Sequence, residues 1–303
     1  MADVPADVAT AIALGRRDRQ EDAVLAQFAD GAETGFAVLS DGMGGHDDGD
    51  LASRVIVSEV FRAMSLTGRE AAPDQLTLRS RLRQAILAAN RSLRDAVEAG
   101  TGQEGMGGTV VAAFVQEDRL SWISIGDSAL YLYRDGTLTR LNEIHSLAPQ
   151  IDLMLSRGEI DAETARAHPQ RSCLTSALVG GAINRIDCPE AALDLEPGDV
   201  VLLASDGLEA LRPEALRDLL ERHRAAPSQA IARALMQAVE RHDAPEQDNT
   251  ALIVIKPRIV HAEPATSPVA LRAATPAGAA SMFAGLSGLC HAIIAQLTRG
   301  SAL

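Results

Sequence analysis

Aromatic side chains are scarce in this sequence: one tryptophan, two tyrosines and five phenylalanines among 303 residues. A core must therefore be filled mainly by Ala, Leu, Val and Ile. Lysine is nearly absent, Lys256 being the only one, and the arginines are scattered rather than striped. With a formal net charge of −13, this argues against a nucleic-acid partner or an anionic membrane surface. The three cysteines, Cys173, Cys188 and Cys290, are widely spaced. They make neither a disulfide framework nor a zinc signature, which fits a reducing compartment. An apolar segment of the signal-peptide kind is missing near the N-terminus, so a cytoplasmic protein is expected, and a monomer.

What is present is ordinary for a globular chain: 47% hydrophobic and 23% charged residues, enough for one large domain or two modest ones. The informative stretch is Phe36 to Gly49, FAVLSDGMGGHDDG. The apolar run Phe36–Ser40 reads as a buried strand that stops at Asp41. Gly42, Gly44 and Gly45 then permit tight turns. A carboxylate at the end of a buried strand is costly to desolvate without a positive partner. No Lys or Arg stands between Arg19 and Arg54, so a divalent metal is the obvious alternative to a solvated loop residue.

The pattern recurs. Val200–Ser205 ends in Asp206-Gly207, Trp122–Gly126 ends in Asp127, Asp248-Asn249 precedes Thr250–Ile255, and Asp22 precedes Ala23-Val24-Leu25. Five strand-edge carboxylates fit one acidic site better than five accidents. Hard oxygen donors of this kind suit Mg²⁺ or Mn²⁺ rather than zinc or copper.

In chain order, residues 8–15, 23–28 and 34–40 read as strands. Helical spacing of apolar residues follows over Asp50–Met64 and Pro73–Glu98. After the glycine-rich turn Gly100–Gly108, four strands form an antiparallel meander: Thr109–Gln116, Leu120–Ile125, Ala129–Arg134 and Thr137–Asn142, with hairpin turns at Glu117-Asp118 and Asp135-Gly136. Residues 145–181 are polar, with short helical fragments. They read either as a flap beside a site or as a packed surface excursion. Strands are expected at Arg185–Leu195 and Asp199–Ala204, helices at Pro213–Arg224 and Ser228–His242 with Ser228 as N-cap, and a last strand at Thr250–Ile255. The order predicts an α/β (α+β) fold: a four-layer α-β-β-α sandwich of two mainly antiparallel sheets flanked by helix pairs.

Composition shifts at Pro257. Residues 1–257 form the expected domain. Residues 258–303 read as a Pro/Ala-rich linker and a weakly hydrophobic C-terminal tail. Met282, Phe283, Leu286, Leu289, Ile293, Ile294 and Leu297 lie at helical spacing in that tail. A docking helix, a packed extension and a membrane segment all remain open, although the Gly, Ser, His and Gln content argues against a stable span.

Seven blocks then match a family in order: GRRDRQED (15–22), FAVLSDGMGGHDDGDLAS (36–53), GMGGTVV (105–111), SIGDSALYLYRDGTLTRL (124–141), HSL (145–147), LEPGDVVLLASDGL (195–208) and DNTALIVI (248–255). Through them the chain resembles the metal-dependent Ser/Thr protein phosphatases of the type-2C class, especially compact bacterial members. The resemblance implies a β-sandwich with a two-metal site at one end of the sheets, holding two Mn²⁺ or Mg²⁺ ions. By it Asp41 is the carboxylate that bridges both ions, and Gly42 gives a backbone carbonyl ligand. Asp22, Asp206 and Asp248 are the remaining ligands, and Asp127 binds a third, weaker ion. Arg17, rather than Arg16, grips the substrate phosphate.

Three positions depart from the family pattern. Gln20 replaces Asn, Ala129 replaces an Arg that would make a surface or flap contact, and Met43 stands where animal members carry a His. The leaving-group acid is thus undefined, with His46 a candidate and His145 a weaker one.

The activity so implied is hydrolysis of phospho-Ser/Thr on proteins by direct attack of a two-metal-activated water. Its partners are phosphorylated proteins and a cognate Ser/Thr kinase in signalling. The alternatives are a non-catalytic binding module of the same fold, docking a kinase or a signalling or secretion complex, and a small-molecule phosphatase.

Overall fold

Short apolar runs pair into two sheets in the computed structural model, which describes residues 6–28, 34–44, 48–65 and 73–257. The elements run β1 (Asp7–Ala13), β2 (Asp22–Phe28), β3 (Thr34–Met43), α1 (Asp48–Ser65), α2 (Gln75–Glu98), β4 (Gly107–Gly108), β5 (Val110–Gln116), β6 (Arg119–Ile125), β7 (Ala129–Arg134), β8 (Thr137–Arg140), α3 (Ala148–Ser156), α4 (Ala162–Arg166), β9 (Leu193–Asp194), β10 (Val200–Ala204), α5 (Pro213–His223), α6 (Ser228–His242) and β11 (Thr250–Lys256).

One sheet has the order β1-β11-β10-β7-β8, the other β2-β3-β5-β6-β9, with β4 paired on the end of β3. The described strand pairs are all antiparallel. Glu117 and Asp135 take left-handed backbone angles at the two hairpin turns.

The central strands β3, β5, β6, β10 and β11 bury both faces, because a further layer covers either side. Ala37, Leu39, Val111, Val201, Leu203, Ile253 and Ile255 fill the space between the sheets. The alternate residues Val38, Ala112 and Phe114 meet Ile56, Val60, Leu82 and Ile86 of α1 and α2. On the far side Leu202, Leu252 and Val254 meet Leu216, Leu220, Ile231 and Leu235 of α5 and α6. The result is the expected four-layer α-β-β-α sandwich. Each fully buried aliphatic side chain contributes about 1.5–3 kcal/mol. Asp74 caps α2, its carboxylate accepting from the Thr77 N–H at 2.8 Å.

Four local expectations change. First, β3 runs through Asp41 to Met43 instead of stopping at Asp41. Second, its extension is possible because Gly107 and Gly108, expected as turn residues, pair with Met43 and Gly42; a Cβ on Gly108 would lie 2.8 Å from the Asp41 carbonyl. Third, of residues 185–195 only Leu193–Asp194 forms a strand, with an isolated bridge from Asp187 to Ser124. Pro189 lies in this stretch and has no N–H to donate to a ladder. Fourth, Pro227, not Ser228, is the N-cap residue of α6. The Ser228 N–H donates to Asp7 Oδ2 at 2.7 Å and its hydroxyl to the Asp7 carbonyl at 2.6 Å, so β1 satisfies the helix end.

No described helix is long and apolar enough to cross a membrane. The C-terminal tail lies outside the described residues, as do His46 and Cys290.

Candidate active site

At one end of the sandwich the layer between the sheets turns polar. Following the inward-facing side of each strand, Leu39 gives way to Asp41, Val24 to Asp22, Val111 to Thr109, Leu130 to Ser128, Leu203 to Ser205 and Ala251 to Asn249. The period of two along each strand puts all six on the same side as the apolar residues before them. Asp22 and Asp41 are cross-strand partners in the β2–β3 register. Like charges placed directly opposite destabilise a sheet unless something offsets them.

The surrounding hydroxyls and amides hold the backbone of this end in place. Thr109 Oγ1 accepts from the Asp41 N–H at 3.0 Å and shares a hydrogen with Ser128 Oγ at 2.7 Å. Ser205 Oγ donates across the sheets to Asp22 Oδ2 at 2.8 Å and accepts from the Ala251 N–H at 2.9 Å. Asn249 Oδ1 accepts from the Glu21 N–H at 2.7 Å. Asn249 Nδ2 donates to the carbonyls of Leu14 and Arg19 at 2.8 and 2.9 Å. It thereby clamps the Arg16–Glu21 loop against the start of β11. Gln20, the substitution noted above, retains a polar support role: its Oε1 accepts from the Asp22 N–H at 2.8 Å, and its Nε2 donates to Ala13 at 3.0 Å.

Electrostatics shows which carboxylates face one another. Burial raises the Asp41 carboxyl well above the usual carboxylate range, and Asp206, Asp22, Asp127 and Asp248 raise it further. Burial, then Asp127 and Asp248, push Asp206 up to about 8. Asp22 rises to about 7 for the same first reason, although the Ser205 hydroxyl opposes it. Burial and Glu209 bring Asp127 to about 6. The other Asp22 oxygen, Oδ1, is buried without a hydrogen-bond partner.

The other four sequence-singled aspartates thus all act on Asp41, at one end of the fold. The donors are hard oxygens carrying excess negative charge, the set that fits Mg²⁺ or Mn²⁺. They are grouped rather than closed: among the described residues no three His, Cys, Asp or Glu side chains already form a ligand cage.

Asp41, Asp127 and Asp206, with Met43 and Thr109, line one side of a cavity of about 590 Å³. The same cavity is lined by the segment after α4: Ser172–Ala177, Val179, Ala182 and Asn184. The polar stretch expected as a flap or as a surface excursion therefore borders the site. Asp22 opens instead on the neighbouring groove, beside Gln20, Arg19 and Arg54. Arg17 Nη2 donates to Asp248 Oδ2 at 2.6 Å, while Arg16 pairs with Asp243.

Gly42 sits where a Cβ would collide with the Gly49 and Glu21 carbonyls, and its N–H donates to Glu21 O at 3.0 Å. His145 is fully buried. Its Nδ1 accepts from the Gly126 N–H at 3.2 Å, which makes it a structural anchor behind the Asp127 turn. Ala129 is buried in β7, so that position makes no surface contact. Arg140 does the local work, donating to the Asp127 carbonyl and lying over the Tyr131 ring.

Sequence reasoning missed Glu21, Asn249, Thr109 and Ser205. The Glu21 carboxyl is raised by burial and sits against Gly49 at the start of α1, beside the carboxylate group. Its signal was its place next to Asp22. That of the other three was a polar residue at the end of a continuous apolar run.

The family model described as protein phosphatase 2C matches residues 13–253. The serine/threonine protein phosphatase PstP of Mycobacterium tuberculosis is 32% identical over 239 residues, which is 78% of this chain and 42% of that protein. The chain thus spans about two fifths of that relative's length. The serine/threonine phosphatase stp of Listeria welshimeri is 32% identical over 196 residues, covering 64% of this chain and 75% of that one. Among solved structures, the catalytic domain of PstP in complex with two manganese ions superposes with a TM-score of 0.66 at 28% identity, over 83% of this chain and 98% of that one. Shared sequence along nearly the whole described fold, with carboxylates gathered at one end of a four-layer sandwich, leads to one assignment: this chain belongs to the protein phosphatase 2C family.

Proposed function

We propose that the chain is a metal-dependent protein phosphatase that hydrolyses phospho-Ser/Thr on proteins by direct attack of water. Residues 1–257 carry the phosphatase domain, and 258–303 are a linker and tail. In this reading Asp22, Asp41, Asp206 and Asp248, with the Gly42 carbonyl, hold two Mn²⁺ or Mg²⁺ ions, and Asp127 helps hold a third, weaker one. The observation that carries it is the Asp22–Asp41 cross-strand pair, raised by burial and then by its acidic neighbours, and leaving a buried oxygen unpartnered.

Divalent ions held there supply charge neutralisation for phosphoryl oxygens and acidify water at neutral pH. The chain's own residues do the rest. Arg17 presents a half-exposed guanidinium beside Asp248 and takes a phosphate bidentately, a geometry that Lys cannot match. Thr109 and Ser205 hold Asp41 and Asp22 in place. The Ser205 hydroxyl, bonded to Asp22 and to the Ala251 N–H, is committed to support rather than to nucleophilic attack. Met43 lines the cavity without a titratable group, so protonation of the leaving group falls to water or to His46. The partners of this reading are phosphoproteins and a cognate Ser/Thr kinase, met in the cytoplasm by a monomer.

The experiment is turnover of a phosphothreonine peptide by the full chain in Mn²⁺ and in a chelator. Turnover that needs Mn²⁺ supports the reading. Equal turnover in chelator, or none with Mn²⁺, sinks it.

A further inference from the structure

The part of the cavity lining contributed by residues 172–184 consists largely of small side chains, and Leu178 within this segment is buried in the core. Ser176, Ala177 and Val179 line the cavity before a bend at Gly180-Gly181, and Ala182 and Asn184 line it after. The base of this loop is closed by its own hydrogen bonds. Ser176 Oγ donates to the Arg185 carbonyl at 2.9 Å and accepts from the Arg185 N–H at 3.0 Å, and Asn184 Nδ2 donates to Thr175 O at 3.0 Å.

The bend is held from outside, by Asn90 in α2. The Asn90 side chain is 7% exposed. Its Nδ2 donates to the Gly181 carbonyl at 2.7 Å and its Oδ1 accepts from the Gly180 N–H at 2.9 Å. One amide therefore grips both sides of the bend. Gly180 has φ +76°, and a Cβ there would lie 3.0 Å from the Arg94 backbone, one helical turn along. The bend thus sits directly on the α2 surface.

Two residues back, Leu178 exchanges both backbone hydrogen bonds with Gly108, each at 2.9 Å. Gly108 in turn pairs with Gly42 and receives Thr109, whose N–H donates to the Asp41 carbonyl at 2.8 Å. A continuous set of short contacts joins α2 to the cavity wall and to the Asp41 turn.

We propose that Asn90 is a positioning residue for substrate. It fixes the wall at residues 175–184 against which the polypeptide flanking a phosphorylated residue rests, while taking no part in the chemistry. This rests on the phosphatase reading above. A small aryl phosphate reaches only the carboxylate side and Arg17; a phosphopeptide also needs the wall. A helix-interior asparagine has a poor helix propensity, so its place in α2 is accounted for by the two bonds it makes.

The test compares a phosphothreonine peptide with p-nitrophenyl phosphate on the full chain saturated with Mn²⁺. Asn90→Ala removes both bonds. Asn90→Asp keeps the shape but sets an oxygen against the Gly181 carbonyl, so it separates bonding from packing. In both variants KM for the peptide rises about five- to tenfold with kcat little changed, the pattern of lost binding rather than lost chemistry, and kcat/KM for the aryl phosphate stays within about twofold. Gly180→Ala, which pushes the bend off α2 from the other side, gives the same split and serves if the Asn90 variants fail to fold. Amide exchange at Gly180 quickens in all of them.

A peptide KM that stays native while Gly180 exchange quickens overturns the proposal. So does a parallel fall for both substrates, which marks a general structural role. If the native chain turns over neither substrate, the phosphatase reading fails and takes this inference with it. Native turnover with insensitive variants removes the inference alone.

Discussion

Arg17 holds Asp248: guanidinium Nη2 and carboxylate Oδ2 lie 2.6 Å apart, across 231 residues of chain. The two residues have different assignments in the phosphatase reading, one to phosphate and one to metal, yet here they satisfy each other. The pair is open to solvent, with the side chains 56% and 38% exposed.

A cation binding at Asp248 must therefore compete with Arg17, though only modestly, since exposed ion pairs are worth about 0.2–1 kcal/mol. Arg17→Ala is expected to tighten Mn²⁺ binding by up to about fivefold while raising the inhibition constant for inorganic phosphate. Calorimetric Mn²⁺ titration and phosphate inhibition of the variant check both halves. Weaker Mn²⁺ binding in Arg17→Ala would contradict the competition.

The metal-free protein should lose stability as pH rises. Asp22, Asp206 and Asp41 have carboxyl groups raised in the fold, the first two to about 7 and about 8. A raised acid stabilises the fold fully below its unfolded pKa of about 3.9, and that contribution is lost as pH rises through the folded value. In chelator the melting temperature is expected to fall between about pH 5 and 8.5, and Mn²⁺ at pH 8 should restore it. A chelated protein whose melting temperature is flat over that range would contradict the buried, clustered placement of these carboxyls.

Asn249 is 5% exposed and ties Glu21, Leu14 and Arg19 together. Replacing it by Ala leaves buried backbone groups unpaired, at about 1–3 kcal/mol each where water cannot reach them. Asn249→Ala is expected to lower stability by about 2–3 kcal/mol, read by urea denaturation, and to weaken Mn²⁺ binding because the Asp22 loop loosens. Asn249→Asp keeps the bond to Glu21 but turns an oxygen toward two carbonyls, and should fare no better.

Gly42→Ala tests the close packing of the turn. The added methyl meets the carbonyls of Gly49 and Glu21, backbone groups that cannot swing aside. A stability loss of about 1–3 kcal/mol is expected, in the range of overpacked cores, together with loss of Mn²⁺ binding. Near-native melting and metal affinity would show that the β3–α1 turn is slack.

Most of the architecture was legible because the signals are local. Apolar runs ending in Asp mark β3, β6 and β10, and helical spacing marks α1, α2, α5 and α6. Residues that act across the chain were not. The Asp22–Asp41 pair lies at the end of the β2–β3 register away from the chain connection, and alternation limits that register without choosing it. Asn249, Thr109 and Ser205 look like ordinary strand-end polar residues until the sheets stack. Asn90 reads as one more position in a helix, because its partners at Gly180 and Gly181 lie some ninety residues away. Residues 185–195 misled for the opposite reason: their apolar content suggested a strand, but Pro189 prevents a continuous ladder. Nothing in the sequence marks Arg140 for its contact with the Asp127 carbonyl, which the β7–β8 pairing brings about.

The central claim is that aspartates from β2, β3 and the segments flanking β10 and β11 form one divalent-cation site. Mn²⁺ binding to the full chain, followed by the electron paramagnetic resonance of free Mn²⁺, tests it most directly. The account predicts at least two ions bound per native chain and a marked loss of affinity in Asp41→Asn. Native protein that binds no Mn²⁺ up to millimolar concentration, or Asp41→Asn that binds it as the native chain does, would contradict it.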